Sequence, residues 1–159
     1  YPSSAPPPFP ADIKALLEAV WTRTRAEAAI VNLYSPGDTL SVHRDVAEAS
    51  PHGLISVSLG CDAVFVIGTS SPPSTDGDAQ ANADAHTHTT PLTLRLRSGS
   101  AVYMSGPSRF AWHGVPQIVA GTCPEYLAAW PAGDGGEYEA WRGWMGGKRI
   151  NVNVRQMWD

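Results

Sequence analysis

The sequence predicts a mainly β fold, a sandwich or barrel with one flanking helix near the N-terminus. Three observations carry this reading. Short β-rich runs recur from residue 30 onward, Gly and Pro (15 and 14 of 159 residues) break them at close intervals, and helical spacing of apolar residues is clear only in one early segment. The length is that of a single domain with a sizeable core. Charged residues make up 16% and hydrophobic residues 43%, the balance of a compact, turn-rich globule.

Taken in order, residues 1–10 hold five Pro and read as an extended lead-in. Ile13, Leu16, Leu17, Val20 and Trp21 then recur at helical spacing and predict an amphipathic helix from about Asp12 to Arg25. Strands are expected at Ile30–Tyr34, Leu40–His43, Leu54–Leu59, Ala63–Ile67, Leu92–Arg97, Ala101–Met104 and Ile150–Arg155. Seven short strands broken by Gly, Pro and Asp suit a sandwich or barrel. Residues 69–91 have no apolar periodicity and read as a disordered surface insertion within one domain spanning 11–159. Between Val119 and Gly147 the pattern is irregular. There Trp130, Trp141 and Trp144 suggest an aromatic pad closing one side of the core, with a short helix at Glu137–Met145.

Eleven Lys and Arg against fifteen Asp and Glu give a net charge of −4, so no global basic field advertises a polyanionic partner. Cys61 and Cys123 are too few for a disulfide framework and too far apart for a C-x-x-C metal knuckle. Both read as small buried fillers in a reducing, intracellular setting. No apolar run reaches the roughly 20 residues of a membrane span, and the Pro/Ser-rich start lacks the apolar core of a signal peptide. The first residue is Tyr1 rather than Met, as expected of a trimmed or excised piece.

His43 and Asp45 stand at i and i+2, a spacing that puts both side chains on one face of a strand. His113, which follows a strand and a Gly/Pro-rich turn in the second half of the chain, is the candidate third ligand. Two His and one carboxylate make the facial triad of non-haem Fe(II) oxygenases, with positions left open for cosubstrate and dioxygen. The alternative is a solvated loop His beside a core His. In Arg149–Arg155 the apolar Ile150, Val152 and Val154 face one way, while Arg149, Asn151, Asn153 and Arg155 face the other. That second face is a donor array without an acid to balance its guanidiniums. It suits a buried dianion such as 2-oxoglutarate; the alternative is an exposed basic strand.

These residues carry a resemblance. The chain resembles the AlkB family of Fe(II)/2-oxoglutarate-dependent nucleic acid demethylases through Asn32-Leu33-Tyr34-Ser35-Pro36-Gly37-Asp38, His43-x-Asp45, Ile55-Ser56-Val57-Ser58-Leu59-Gly60, Met104-Ser105-Gly106-x-Ser108-Arg109 with His113-x-Val115-Pro116, and Arg149-x-Asn151-x-x-x-Arg155. The Met-Ser-Gly-x-Ser-Arg block and Arg155-Gln156 lean toward the eukaryotic AlkB homologue one branch. The resemblance implies a double-stranded β-helix, a jelly-roll type, with Fe(II) held by His43, Asp45 and His113. It implies that Asn32, Tyr34, Arg149, Asn151 and Arg155 hold 2-oxoglutarate, Arg149 at the distal carboxylate and Arg155 near the chelating end. The apolar back of the last strand would pack on the helix carrying Leu16, Leu17, Val20 and Trp21.

The implied reaction uses O2 to remove N-methyl groups, of methyladenine type, from DNA or RNA bases that are unpaired or flipped, releasing formaldehyde and succinate. A monomer without membrane association is expected, in nucleus, cytoplasm or mitochondrion alike. The chain departs from the bacterial pattern at Ala47, where those relatives carry a second acid, with Glu48 next. It departs again at Thr69, where they continue with a second Gly, and the lid that grips the nucleotide in the family lies upstream of the first block. Two other readings share parts of the pattern: a 2-oxoglutarate oxygenase acting on protein or a small molecule, and a non-catalytic jelly-roll binding module.

Among other candidates, His86 and His88 read as solvated histidines, His52 as a turn residue, and Arg95 and Arg97 either as the solvated side of a strand or as a row that tracks a phosphate backbone. Arg109 reads as support for the turn at His113, and Trp112 either as a core residue or as a stacking surface for a base.

Overall fold

The computed structural model describes residues 7–46, 50–68 and 91–158. Eight strands form two four-stranded antiparallel sheets. They are β1 (Ala28–Tyr34), β2 (Leu40–His43), β3 (Leu54–Gly60), β4 (Asp62–Gly68), β5 (Leu92–Leu96), β6 (Ala101–Met104), β7 (Trp112–Val119) and β8 (Arg149–Arg155). One sheet has the order β1-β8-β3-β6 and the other β2-β7-β4-β5. Leu54, Tyr34 and Met104 of the first meet Phe65, Val115, Ile118 and Leu96 of the second in one buried core. This is the jelly roll, with the flanking helix α1 (Ala11–Val20). Gly60 turns the chain from β3 in one sheet to β4 in the other at φ 84°, where the Lys148 carbonyl occupies the space a Cβ would need.

Seven strands fall where the alternation predicts them, within two residues at each end; β7 is an addition. His113 therefore sits inside a strand rather than after one. Gly114 and Pro116 hide that strand in the sequence, because Pro in a central strand ordinarily argues against one. Here the pairing of β7 with β4 breaks between Val64 and Val66, and the pairing with β2 runs only from His43↔His113 to Leu40↔Val115. Pro116 thus lies at an irregularity, where its missing N–H costs no ladder bond.

Helix α1 ends at Val20, five residues before the expected end. Thr24 pulls the chain away from the helical path. Its hydroxyl donates to the Gly53 carbonyl at 3.1 Å and meets the Tyr103 hydroxyl at 2.9 Å. Leu17 and Trp21 do pack on Ile55, Val57, Val152 and Val154, the apolar back of the β8 sheet. Leu16 and Val20, expected in that contact, are instead 66% and 61% exposed.

The expected helix at Glu137–Met145 is replaced by two short 3-10 turns, Glu139–Trp141 and Trp144–Gly147. Positive φ at Tyr138 (57°) and Gly143 (86°) interrupts any continuous helix there. A single-turn helix α2 (Glu125–Ala128) precedes them. Trp130 and Trp144 pack against each other at a 54° tilt with ring centroids 5.8 Å apart, but Trp141 is exposed, and the side chain sealed into the fold is Met145. Cys61 is fully buried and Cys123 only half-buried. Residues 69–90 and Ala47, Glu48, His86 and His88 lie outside the described residues. Among the described residues no helix is long and apolar enough to cross a membrane.

Candidate active site

The two sheets enclose a cavity of about 150 Å³ lined by residues from both. On the β2-β7 side, β2 and β7 pair with His43 opposite His113, and their rings lie 4.4 Å apart. Gly114 permits this approach, since a Cβ there would stand 2.9 Å from the Leu40 carbonyl and 3.2 Å from the Val42 backbone. Asp45 follows β2 and points to the same place. Its carboxylate lies 3.9 Å from His43 Nε2 and 3.4 Å from His113 Nε2. The candidate ligand atoms of all three residues fall within 4.8 Å of one another.

The tautomers follow from the backbone. His43 Nδ1 lies 2.9 Å from the Ser41 carbonyl and His113 Nδ1 3.0 Å from the Ala111 carbonyl. A carbonyl only accepts, so each Nδ1 carries a proton and donates it; once the ring is neutral, Nε2 is the nitrogen left to bind a cation. Asp45 is held down to about 2 chiefly by its hydrogen bond with His113, against the opposing effect of burial, with the Arg155 guanidinium 3.7 Å away adding to the lowering. An ionised carboxylate facing two Nε2 atoms is the donor set of a divalent first-row metal.

The opposite wall is the inward face of β8. Antiparallel register with β1 and β3 builds three rungs: Ile30–Asn153–Ser56, Asn32–Asn151–Ser58 and Tyr34–Arg149–Gly60. Asn151 Nδ2 donates to Ser56 Oγ at 2.7 Å and Arg149 Nη2 to Ser58 Oγ at 3.0 Å. Tyr34 lies under the guanidinium of Arg149, 5.1 Å from its ring centroid. Arg149 is only 1% exposed, and burial pushes its guanidinium below the usual arginine range. Its Nε and Nη1 are buried without any hydrogen-bond partner among the described residues. A buried charge with idle donors is costly unless an anion completes it. A dicarboxylate therefore fits this cavity, one end at Arg149 and the other beside the His43, Asp45 and His113 cluster.

Sequence reasoning placed Asn153 in the donor face without its role at Asp45, and it missed other contributors. Asn153 Nδ2 donates to Asp45 at 3.4 Å, orienting the carboxylate. Ser56 and Ser58 support the β8 donors; the alternation of small hydroxyls with apolar residues along β3 shows that they share a face, not which residues they meet. Phe65, Met104 and Val115 supply the apolar lining. Arg109 does more than brace a turn. Buried to 2% exposure, it donates from Nε to the His52 carbonyl at 2.8 Å and from Nη1 to the Asp45 carbonyl at 2.9 Å. Trp112 is not a core residue. It is 54% exposed with the Arg44 guanidinium 5.1 Å over its ring. Arg95 is tied to Asp62 at 2.8 Å.

The sequence profile of the 2OG-Fe(II) oxygenase superfamily matches residues 1–155. The chain belongs to this superfamily. An N6-methyladenosine RNA demethylase ALKBH of Cryphonectria parasitica is 52% identical over the whole chain, which spans 69% of that relative. The tRNA demethylase abh1 of Schizosaccharomyces pombe is 41% identical over 99% of the chain, which spans 47% of it. The solved structure of OsALKBH1 superposes with a TM-score of 0.67 over 98% of this chain and 67% of its own, at 21% identity, and shares the fold. Within the 2OG-Fe(II) oxygenases the chain is thus AlkB-type, and the family's cofactors are Fe(II) and 2-oxoglutarate.

Proposed function

We propose that this AlkB-type oxygenase removes N-methyl groups, of methyladenine type, from bases of RNA or DNA, with O2 and 2-oxoglutarate consumed and formaldehyde, succinate and CO2 released. The observation that carries the reading is the convergence of His43, Asp45 and His113 within 4.8 Å on a cavity that also exposes the idle donors of buried Arg149. In this reading His43 Nε2, Asp45 and His113 Nε2 hold Fe(II). Arg149 holds the distal carboxylate of 2-oxoglutarate with Tyr34, Asn32 and Asn151 beside it, and Arg155 supports the end near the metal.

Bound iron with 2-oxoglutarate supplies the oxidation of a C–H bond by dioxygen, chemistry that belongs to the cofactor. The chain supplies geometry. The Ser41 and Ala111 carbonyls fix both imidazoles, Asn153 and Arg155 hold the Asp45 carboxylate, and Phe65, Met104 and Val115 keep water from the interior. A base stacked in a duplex cannot bring its methyl group to a metal held between the two sheets, so the target base enters unpaired or flipped. The protein acts as a monomer inside the cell, where nucleic acid and 2-oxoglutarate coexist.

The test incubates the protein with Fe(II), 2-oxoglutarate and a panel of methylated single- and double-stranded oligonucleotides. Loss of about 14 mass units per methyl with stoichiometric formaldehyde is expected. Steady succinate with every methyl retained would instead assign a protein or small-molecule substrate. Failure to bind Mn(II) tightly would assign a binding module.

A further inference from the structure

Beside the metal end of the barrel lies an open groove of about 580 Å³, walled by Thr22, Arg23, Arg25, His52 and Gln156. Three chain segments meet there and are tied together. Thr24 donates to the Gly53 carbonyl at 3.1 Å, joining the turn after α1 to the turn at His52. The Arg25 amide donates to Gln156 Oε1 at 3.1 Å, joining that turn to the end of β8. The groove is therefore a fixed feature, built before any ligand arrives. One buried side chain links its wall to the candidate metal cluster. The guanidinium of Arg109 bonds both the His52 carbonyl in the groove wall and the Asp45 carbonyl, and Gln156 follows Arg155, 3.7 Å from the Asp45 carboxylate.

Two guanidiniums of this groove, those of Arg23 and Arg25, stand apart from the other surface cations. Elsewhere on the surface Lys14, Arg95 and Arg142 each pair with an acid, Glu18, Asp62 and Glu139 respectively. Among the described residues Arg23 and Arg25 make no ion pair, and both are exposed. The two acids nearest in sequence are engaged. Glu18 accepts from the Ala26 amide at 2.9 Å, and Glu27 accepts from the Met157 and Trp158 amides at 2.9 and 3.3 Å. A chain with net charge −4 thus keeps two exposed guanidiniums on one groove, whose wall Arg109 ties to Asp45.

We propose that this groove is a backbone track, in which Arg23 and Arg25 bind successive phosphates of the single-stranded nucleic acid whose base enters the barrel. The inference rests on the nucleic acid reading above and adds the residues that grip the polymer. Phosphate contacts fix register without reading sequence, so the track serves any strand that presents the target base to the metal.

The test uses the full chain loaded with Mn(II) and 2-oxoglutarate and an unmodified single-stranded oligonucleotide, with binding measured across a salt series. The double variant Arg23→Gln/Arg25→Gln is compared with Arg97→Gln/Arg142→Gln, which removes the same charge elsewhere. The track variant should bind roughly 10-fold more weakly at low salt, with the slope of log affinity against log salt reduced by about 0.7 per lost contact. The control should match the parent, and 2-oxoglutarate should stabilise all three equally. Track and control variants binding alike, or a parent that binds no oligonucleotide at low salt, would overturn the proposal. Formaldehyde release is scored separately. Salt-sensitive binding without formaldehyde keeps the track and sinks the demethylase reading; formaldehyde with an unchanged KM for the track variant does the reverse.

Discussion

Strand β8 lies between two seven-residue neighbours, paired along its whole length with β1 and nearly so with β3. Strand β2, which carries His43, has four residues and pairs only with β7, through an irregular register. The contrast extends to the side chains: Arg149 is 1% exposed, whereas the His43 side chain is 35% exposed. One wall of the cavity is a regular, dry donor array of the kind a small anion fits. The other, which carries the candidate metal ligands, is a short edge left open. Anchoring a cosubstrate rewards preorganised, desolvated donors, while a macromolecule needs an unobstructed approach.

The largest effect separates the two walls outright. His43→Ala or His113→Ala should reduce turnover to background and weaken Mn(II) by more than about 100-fold, since losing a direct ligand exceeds the roughly 10–100-fold cost of losing an outer partner. Isothermal titration checks this. If both variants keep parental affinity, the metal is held elsewhere.

Arg149→Met tests the dry wall. The variant should raise the KM for 2-oxoglutarate by about 10–100-fold, reflecting about 1.5–3 kcal/mol for a charge-assisted hydrogen bond. The same change should leave the cosubstrate-free protein as stable as the parent or more so, because an incompletely paired buried cation is replaced by an apolar side chain. Thermal melts with and without 2-oxoglutarate read both effects. Lost stability in its absence would mean that the guanidinium is structurally satisfied and its idle nitrogens serve no anion.

How much of this was legible in the sequence follows the same division. The donor array of β8 is visible because a period of two maps straight onto one face of a strand, and the strand is long and regular enough to keep it. The identity of what supports the array is less visible. Ser56 and Ser58 become partners only through register between strands nearly a hundred residues apart, which no local pattern encodes. On the open wall the Gly and Pro of β7 conceal a strand, because an irregular pairing tolerates residues that a regular ladder rejects. The early end of α1 escapes for a related reason: the tie from Thr24 to Gly53 and Tyr103 overrides local helical periodicity. Arg23 and Arg25 fall inside the expected helix and emerge as groove residues only once that helix stops.

A smaller effect comes from proton competition at the open wall. Burial alone would lower His113, but the Asp45 carboxylate and the Ala111 carbonyl outweigh it, so in the metal-free protein its imidazolium persists above the usual 6.5. Its contribution to metal-free stability is fully present below the unfolded value and is lost as pH rises through the raised folded value. A metal needs the neutral ring, so Mn(II) affinity should rise with pH between about 6 and 8, by up to about tenfold per unit. Asp45, held down to about 2, stays ionised across that window and cannot cause the change. A flat profile would show that His113 loses no proton on binding.

Tyr34→Phe probes the dry wall most gently. The aromatic ring beneath the Arg149 guanidinium, 5.1 Å from it, is retained, so the packing and the cation–π contact survive the change. Only the phenol oxygen goes. Burial holds this phenol above its ordinary pKa, with Arg149 opposing that shift, so it remains protonated at neutral pH and acts as a donor. If that donor reaches the distal carboxylate, its loss should cost about 0.5–1.5 kcal/mol, or about a 2–10-fold rise in KM for 2-oxoglutarate, with kcat unchanged at saturation. An unchanged KM would confine Tyr34 to supporting Arg149 through its ring. A large fall in kcat would place the phenol nearer the reacting end than the register with Arg149 allows.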